Sequence, residues 1–513
     1  MIFISHETLK IRFRHTRKCV VSIKINGDGA MKFLTLPAYI VLLASLITLP
    51  AQAGPNPTVL ERTELTVAAP KNINALEINA SDFGAKGDGT TDDTNALQKA
   101  IDATAAKKAT LVLQPGTYLT GSLFLKSNMA LRLDKGVTLT GKQNIESYPR
   151  QKTRIAGIEI VWPSALLNVY EQADVHIYGE GTIDGNGMVF WQTFWDKRNV
   201  YEGKGLRWAA DYDAERPRLI QVYNSKRIEL GGGLHMKRAG FWTLQIVYSN
   251  DVKVSNVVIR NNSDGKGPST DGIDIDSSHH VLVEKADIDV NDDALCLKAG
   301  RDADGLRVNR PTEHVVIRDS IIRHAEAGVT FGSETSGSIR NIDVYNLDVQ
   351  GPVYSGIFFK SAHVRGGTVS DIRIRDMKVQ NAEAAVRVDL NWLPVYSYPV
   401  IPPGIKNVPE HWKILATPVP KEKGMPKLRD IHISNIKAEA NAAFLMQGYA
   451  EAPLQNVHFS NMHITAAASG AITHARGFSF DNVTVETTDS DAVIFDDVAN
   501  TKGEITYLRS AAQ

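Results

Sequence analysis

The sequence predicts an all-β fold, a single-stranded right-handed parallel β-helix, with a short N-terminal capping helix. From Ala130 onward the chain repeats a unit of brief apolar strands separated by Gly, Asn or Asp. Valine or isoleucine recurs at positions 252, 281, 315, 342 and 372, which are 29, 34, 27 and 30 residues apart. A period of this size without a helical pattern between repeats is typical of stacked β-coils. A β-propeller needs four strands in each blade of roughly 40 residues and fits this pattern less well.

The N-terminal part of the chain precedes the predicted β-helix catalytic domain, residues 76–513. Met31 opens a short basic segment that an uncharged apolar run follows, so residues 1–30 are interpreted as a mis-assigned start region. An Ala-Gln-Ala site ends at position 53, which predicts a signal peptide over residues 31–53 and a linker over residues 54–75. The alternative is an uncleaved anchor, although the apolar run is shorter than the ~20 residues of a membrane span. The predicted localisation is periplasmic or secreted.

The capping helix is predicted to run to about Ala106, with Asp92 or Asp93 at its first turn. A strand and turn follow at residues 111–118. A helix in this position would cover the first coil, whose strand edges are otherwise exposed. Its apolar face would consist of Ala96, Leu97, Ala100, Ile101 and Ala103.

Two insertions, residues 186–217 and 391–426, interrupt the repeat and are rich in aromatic side chains. Long loops on a rigid scaffold often form the walls of binding sites. The alternative is that the rings pack on the coils as satellite clusters. The rings belong to Phe190, Trp191, Phe194, Trp195, Tyr201 and Trp208 in the first insertion and to Trp392, Tyr396, Tyr398 and Trp412 in the second.

Composition narrows the classes of partner. Lys and Arg number 57, as do Asp and Glu, and no long basic run suggests a nucleic-acid partner. No other segment is apolar enough to span a bilayer, so the mature chain is predicted to be free of the membrane and monomeric. Of the two cysteines, only Cys296 would remain after signal cleavage, which leaves no intramolecular disulfide. Between Leu295 and Leu297, Cys296 is predicted to be a small core side chain rather than a nucleophile.

Two acidic clusters lie one coil apart in the predicted solenoid. Asp271 stands in a Ser-Thr-Asp-Gly segment, and Asp292 and Asp293 stand in Asn-Asp-Asp-Ala, 21 residues from Asp271 to Asp292. Asp often caps backbone groups in turns, but two clusters flanked by apolar strand residues favour chemistry. Neighbouring strands are about 4.8 Å apart, and carboxylates leaning apart would open a gap of roughly 6.5–9.5 Å. An inverting glycosidase uses such a gap, since one carboxylic acid protonates the leaving oxygen while a carboxylate activates water. Three close carboxylates should also raise one pKa.

On these motifs, residues 76–485 resemble glycoside hydrolase family 28, the polygalacturonase family of pectin-degrading enzymes. The family's Asn-Thr-Asp appears as Ser269-Thr-Asp271 and its Asp-Asp as Asp292-Asp293. Residues 83–89 resemble the opening of many pectin-active β-helix enzymes, and residues 328–341 resemble the segment that begins at the last glycine of Gly-His-Gly. The resemblance implies inverting hydrolysis of a pectic polysaccharide or oligosaccharide that contains galacturonic acid, without metal or cofactor. It assigns Asp292 as general acid and Asp271 and Asp293 as bases.

The sequence departs from the family pattern at two motifs. The histidine of Gly-His-Gly falls on Ala327, and Arg-Ile-Lys falls on Phe358-Phe-Lys360, which keeps only the lysine. Family branches acting on rhamnogalacturonan also lack that histidine. The predicted function is therefore an exo-acting polygalacturonase, with a rhamnogalacturonan-type hydrolase as the alternative.

Other side chains are candidates for the two lost motif residues. Lys360 is predicted to bind a substrate carboxylate as a point charge. The missing guanidinium could come from Arg301, ranked first, or from Arg323 or Arg365, and His324 could replace the lost histidine. Lys298 and Glu334 are further candidates.

Two other functions are consistent with the same residues. A calcium-dependent pectate-type lyase would need clustered carboxylates such as Asp271, Asp274 and Asp276. Strand alternation places Asp271 on the opposite face from Asp274, unless a kink at Gly272 changes the parity. A non-catalytic glycan-binding solenoid is the third possibility.

Overall fold

The computed structural model describes residues 65–262, 264–488 and 490–510. The predicted start region, the signal peptide and residues 54–64 of the predicted linker lie outside these residues. Residues 65–75 form neither helix nor strand, and Leu65 packs against side chains of the solenoid.

The described residues form a right-handed parallel β-helix, which confirms the predicted fold class. All strands but two belong to one parallel sheet that winds around the core, and the remaining two form an antiparallel hairpin. In chain order the strands are β1 (Glu77–Asn79), β2 (Asp88–Asp92), β3 (Thr110–Val112), β4 (Gly116–Thr120), β5 (Leu123–Leu125), β6 (Met129–Arg132), β7 (Val137–Gly141), β8 (Arg150–Ile155), β9 (Ile158–Pro163), β10 (Leu167–Tyr170), β11 (Ala173–Tyr178), β12 (Thr182–Asp184), β13 (Ile220–Tyr223), β14 (Lys226–Lys237), β15 (Leu244–Val247), β16 (Asn250–Arg260), β17 (Ile273–Asp276), β18 (His279–Asp289), β19 (Leu295–Lys298), β20 (Thr312–His324), β21 (Ala327–Phe331), β22 (Ile339–Val349), β23 (Val353–Lys360), β24 (Thr368–Asp389), β25 (Lys427–Gln447), β26 (Leu454–Arg476), β27 (Ser479–Thr487), β28 (Ile494–Ala499) and β29 (Lys502–Arg509).

Helices occur at the N-terminal end of the solenoid and in its loops. In chain order they are α1 (Thr94–Ala106), α2 (Met188–Glu202), α3 (Ala210–Asp213), α4 (Asp302–Val308), α5 (Pro394–Ser397), α6 (Glu410–Leu415) and α7 (Lys421–Gly424), with 3-10 turns at Ala80–Phe83, Ile145–Ser147 and Arg207–Ala209. Among the helices described, none combines the length and the apolar character that crossing a bilayer requires.

Each coil contributes strand segments to three parallel stacks that run along the solenoid, which we call lanes. In the first lane Val252 pairs with Val281, Val281 with Val315, Val315 with Ile342, and Ile342 with Ile372. The repeat found in the sequence is therefore the register of this lane. The third lane, which includes β15, β17, β19, β21 and β23, carries the acidic clusters.

The corner between the first and second lanes is a single residue in the left-handed backbone region. Asn and Asp adopt this conformation at less cost than other residues with a Cβ atom, which explains why they punctuate the repeat. Lys285 is the exception at this corner from β16 to β27. The corner residues are Asn256, Lys285, Asp319, Asn346, Asp376, Asn435, Asn461 and Asn482.

Helix α1 covers the first coils as predicted and buries Leu97, Ala100 and Ile101. Of the two predicted caps, Asp92 bonds to the first turn, since its Oδ1 accepts from the Thr94 amide at 3.1 Å. The Asp93 carboxylate instead accepts hydrogen bonds from the amides of Lys86 and Gly87, at 2.7 and 3.0 Å. The residue therefore fixes the loop before β2 against the helix.

The two insertions pack on one another and on the β8–β9 hairpin, which the sequence pattern did not predict. The ring centroids of Trp208 and Trp412 are 5.0 Å apart, and both rings belong to an apolar cluster with Trp162 of the hairpin. Satellite clusters thus include the rings of Phe194, Trp195, Tyr201, Trp208 and Trp412. In contrast, Trp392 and Tyr396 line a cleft over the third lane. Both interpretations of the insertions hold, each for different rings.

Candidate active site

The acidic clusters directly precede two neighbouring strands of the third lane. Ile273 pairs with Leu295, so Asp271 and Asp293, each two residues earlier, are aligned, and the Gly272 amide donates to the Asp293 carbonyl at 3.0 Å. A Cβ atom at Gly272 would meet the Ala294 carbonyl oxygen at 2.4 Å, so only glycine permits this close approach.

The structure brings Asp271, Asp292 and Asp293 together, with one carboxylate oxygen from each within 4.8 Å of the others. This distance joins the nearest oxygens, so it is shorter than the separation between whole carboxyl groups, for which the sequence predicts roughly 6.5–9.5 Å. Asp271 and Asp293 are only 3% and 1% exposed, whereas Asp292 is partly exposed to the cleft. Asp292 is thus the carboxyl group most accessible to a substrate.

Two buried lysines neutralise part of this negative charge. Lys360 Nζ donates to Asp293 Oδ2 at 2.6 Å. Lys298 Nζ lies 3.5 Å from carboxylate oxygens of both Asp271 and Asp274 and 3.4 Å from Glu334 Oε2. These five carboxylates and two ammonium groups leave an excess of negative charge, which favours retention of protons in the site.

The pKa values follow from burial and from these charges. Burial raises the pKa of Asp292 well above its usual range, and the like charges of Asp271 and Asp293 add to the effect. Burial likewise raises the pKa of Asp271, with Asp274 contributing and Lys298 opposing. Burial also tends to raise the pKa of Glu334, but Lys298 and neighbouring arginines outweigh it and lower that pKa to about 2.

Asp274 and Cys296 lie beneath Asp271, on the outward side of the third lane. Oxygens of Asp271 and Asp274 and the Cys296 Sγ atom lie within 4.8 Å of one another. Asp271 and Asp274 therefore lie together, contrary to the prediction from strand alternation, because the turn at Gly272 changes the parity. Cys296 is buried as predicted, but against carboxylates rather than in the apolar interior, and its thiol donates to Asp271 Oδ2 at 3.5 Å.

The aspartates of the lyase alternative do not form one group. Asp276 is fully buried and accepts a hydrogen bond from Arg154 at 2.8 Å. A cation could take oxygen ligands from Asp271, Asp292 and Asp293, or from Asp271 and Asp274 with the Cys296 sulfur. The Lys298 ammonium already lies between Asp271 and Asp274 in the second group.

The structure does not bring the candidate arginines or His324 to the cleft, which corrects their predicted substrate-binding roles. Arg301 is fully buried and donates to the Tyr212 hydroxyl and the Tyr396 carbonyl. Arg365 is fully buried against Asp302, and exposed Arg323 pairs with Asp287 away from the cleft. His324 Nδ1 contacts the Val290 carbonyl at 2.7 Å, which gives it a structural role.

The cleft instead contains side chains that the motifs did not identify. Arg207 of the first insertion, Trp242 before β15, and Trp392 and Tyr396 of the second insertion line it with the carboxylates, the two lysines and Glu334. The Trp242 ring lies over Lys298 Nζ and the Trp392 ring over Lys360 Nζ, at 5.0 and 4.5 Å. Insertion position and aromatic content were the only sequence signals for these walls.

Comparisons with known proteins identify the family of the chain. The family model of glycosyl hydrolases family 28 matches residues 104–406, which include both acidic clusters. A probable polygalacturonase of Vitis vinifera is 27% identical over 449 residues, covering 83% of this chain and 82% of that protein. The exo-poly-alpha-D-galacturonosidase of Dickeya chrysanthemi is 30% identical over 368 residues, covering 64% of this chain and 59% of that protein. The crystal structure of a hyperthermoactive exopolygalacturonase from Thermotoga maritima matches with a TM-score of 0.67 and 26% identity, covering 78% of this chain and 89% of that one.

Proposed function

Because the chain belongs to glycosyl hydrolases family 28, we propose that it is an exo-acting polygalacturonase that hydrolyses pectic chains with inversion at the anomeric carbon. It is a glycoside hydrolase of the polygalacturonase family. Exo action and a galacturonide substrate are supported by the names of the Dickeya and Thermotoga relatives. We also propose that it acts in the periplasm or outside the cell, as the signal-peptide pattern of residues 31–53 suggests.

The observation that carries the mechanism is the unequal environment of the three clustered carboxyl groups. Asp292 is the most exposed of them, and its raised pKa keeps a proton available for the leaving glycosidic oxygen. Asp293 is recessed and bound to Lys360 at 2.6 Å. Asp292 therefore acts as the general acid, and Asp271 and Asp293 bind the attacking water.

The spacing of the recessed carboxylates supports this role for water. Two hydrogen bonds of about 2.8 Å that meet at one water molecule span about 4.6 Å between their acceptors. The oxygens of Asp271 and Asp293 lie within 4.8 Å, so a single water can bind both. A carboxylate that binds such a water accepts its proton as the oxygen attacks the anomeric carbon.

The walls of the cleft support recognition of a charged sugar at a chain end. Lys360 lies between Asp293 and the Trp392 ring and can attract a uronate carboxylate as a point charge. The partly exposed Trp392 ring offers a flat apolar surface for a sugar face. Both insertions add walls to the cleft, with Arg207 and Asp211 from the first and Trp392 and Tyr396 from the second, and added walls favour exo action over binding along a continuous polymer.

The decisive experiment follows the products of oligogalacturonide hydrolysis by NMR. If hydrolysis of an α-linkage inverts the anomeric carbon, the β-anomer is the first product. If action is exo, only monosaccharide or disaccharide is released from the chain end. Initial α-anomer would contradict inversion, and a ladder of long products would contradict exo action. Release from rhamnogalacturonan alone would favour the alternative substrate.

The Asp292→Asn variant tests the acid assignment. We expect a loss of about 10²- to 10⁴-fold in kcat, the range for removal of a general acid. Unchanged turnover would remove Asp292 from that role. A lyase would instead lose activity in EDTA and produce an unsaturated product that absorbs in the ultraviolet.

A further inference from the structure

The position of the missing motif arginine is occupied by an apolar ring. Phe358 is 3% exposed, and its neighbours in the wall are the Tyr354 ring and the Lys360 ammonium. No guanidinium can come from this position. Of the two cations of this motif only Lys360 remains, and its ammonium is already paired with Asp293.

Arg207 is the arginine that lines the cleft among the described residues. Its side chain is 13% exposed, its Nη1 donates to Asp211 Oδ2 at 2.7 Å, and its guanidinium lies over the Tyr396 ring at 5.2 Å. The Nε–H group is buried and makes no hydrogen bond to a described residue, with Glu202 at 3.9 Å beyond hydrogen-bonding distance. The one hydrogen bond of the guanidinium to a described residue, Asp211, uses a single one of its five N–H donors, and Arg207 lies in the wall of the cleft, where an anionic ligand can accept from the others.

The charges around Arg207 do not cancel. Asp211 also accepts a hydrogen bond from the buried Arg216 at 3.0 Å, and Glu202 is bound by Arg198 at 2.6 Å. Three guanidinium groups therefore face two carboxylates, which leaves one positive charge in this cluster. An arginine already anchored through one nitrogen has less conformational freedom to lose when another N–H group binds a ligand.

A hydrogen bond connects this cluster to the catalytic motif. Ser269, which stands in place of the family's asparagine, donates through Oγ to Asp211 Oδ1 at 3.1 Å and is two residues from Asp271. The contact fixes the first insertion relative to the reacting groups. Arg207, which donates to the same carboxylate, is thereby connected to the segment that carries Asp271.

We propose that Arg207 binds the carboxylate of a galacturonate unit and so replaces the guanidinium that the motif has lost at Phe358. The assignment rests on the proposed function and names a specificity-determining residue for it. Arg207 distinguishes a free uronate from its methyl ester, because the ester lacks the charge. The insertion thus contributes part of the substrate selectivity that the motif supplies elsewhere in the family.

The test compares Arg207→Gln with the wild type on an oligogalacturonide and on its methyl ester. We expect kcat/KM on the free acid to fall about 10- to 100-fold, as for loss of a charge-assisted hydrogen bond, with a much smaller change on the ester. Arg207→Lys keeps the charge and should recover part of the preference for the acid. Arg323→Gln is the matched control, because it removes an arginine that lies outside the cleft and should leave the acid-to-ester ratio unchanged.

The outcomes separate the two proposals. An unchanged acid-to-ester ratio in Arg207→Gln, with wild-type activity intact, would overturn the assignment of Arg207 alone. A wild type that hydrolyses no galacturonide would overturn the proposed function and this assignment with it. If Arg207→Gln does not fold, the acid-to-ester ratio of Arg207→Lys decides. A ratio below that of the wild type supports the assignment, and a ratio equal to that of the wild type overturns it.

Discussion

Asp274→Asn should stabilise the protein at alkaline pH, because Asp274 is a buried carboxyl group with inadequate compensation. Its two oxygens accept no hydrogen bond from a described residue, and its nearest cation, Lys298 Nζ, is 3.5 Å away and shared with Asp271. Burial raises the pKa of Asp274 from 3.8 to about 7, although Lys298 opposes the shift. Asparagine has nearly the same shape and cannot ionise.

The sign and size of the effect follow from proton linkage. A pKa that is higher in the folded state gives stability that is fully present below pH 3.8 and is lost as pH rises through about 7. Between these values the free energy of unfolding falls by about 1.4 kcal/mol for each pH unit. The wild type therefore loses about 4 kcal/mol through Asp274 that the variant keeps. The stability difference, variant minus wild type, should grow by roughly that amount between pH 4 and pH 8.

The assay is guanidinium-induced unfolding of both proteins at several pH values from 4 to 8. The constant contribution of the Asp-to-Asn exchange cancels in the pH dependence, so only the slope matters. Asp319→Asn is the control, since Asp319 is a partly exposed corner residue at a position where other coils carry Asn. A difference that stays flat with pH, or shrinks as pH rises, would refute the reasoning. As a second readout, loss of the Asp274 charge lowers the pKa of Asp271 and moves the acid limb of kcat/KM to lower pH.

Two further predictions concern a charge and a corner. Lys298→Met removes the ammonium shared by Asp271, Asp274 and Glu334. The free energy of unfolding near neutral pH should therefore fall by about 3–5 kcal/mol, and the acid limb of kcat/KM should move to higher pH. A variant as stable in denaturant as the wild type would contradict this ion network. Residue 285 is a corner with φ of +54°, where the other coils carry Asn or Asp. Lys285→Asn should raise the free energy of unfolding by about 1 kcal/mol in the same assay, whereas Lys285→Ala should give no gain. Equal effects of both variants would show that backbone conformation is not the cause.

The architecture could be predicted from the sequence because it depends on local periodicity. The valines and isoleucines that recur near every thirty residues pair in register, and Asn or Asp marks the corners because the backbone there is left-handed. The meeting of Asp271 with Asp292 and Asp293 follows from the same spacing. Resemblance to family motifs then gave these residues their proposed roles.

The surroundings of the carboxylates could not be predicted in this way. Asp274 joins the cluster only because the turn at Gly272 breaks strand alternation, and Cys296 faces carboxylates although its sequence neighbours are core leucines. Arg301 was predicted to bind substrate from its place just after the Asp-Asp coil, but it is buried and donates hydrogen bonds to Tyr212 and Tyr396 of the two insertions. These outcomes depend on contacts between segments far apart in sequence.

The sequence by itself determined the coiled sheet, its register and the coil on which three acidic groups meet, because each is set by spacing along the chain. The tertiary structure decided which cations reach that coil and which carboxyl groups hold a proton. Arg207 lies about sixty residues before Asp271 in the chain, and only the folding of an insertion back over the third lane places it in the cleft. Burial and charge in the assembled site, rather than any local pattern, set the pKa values.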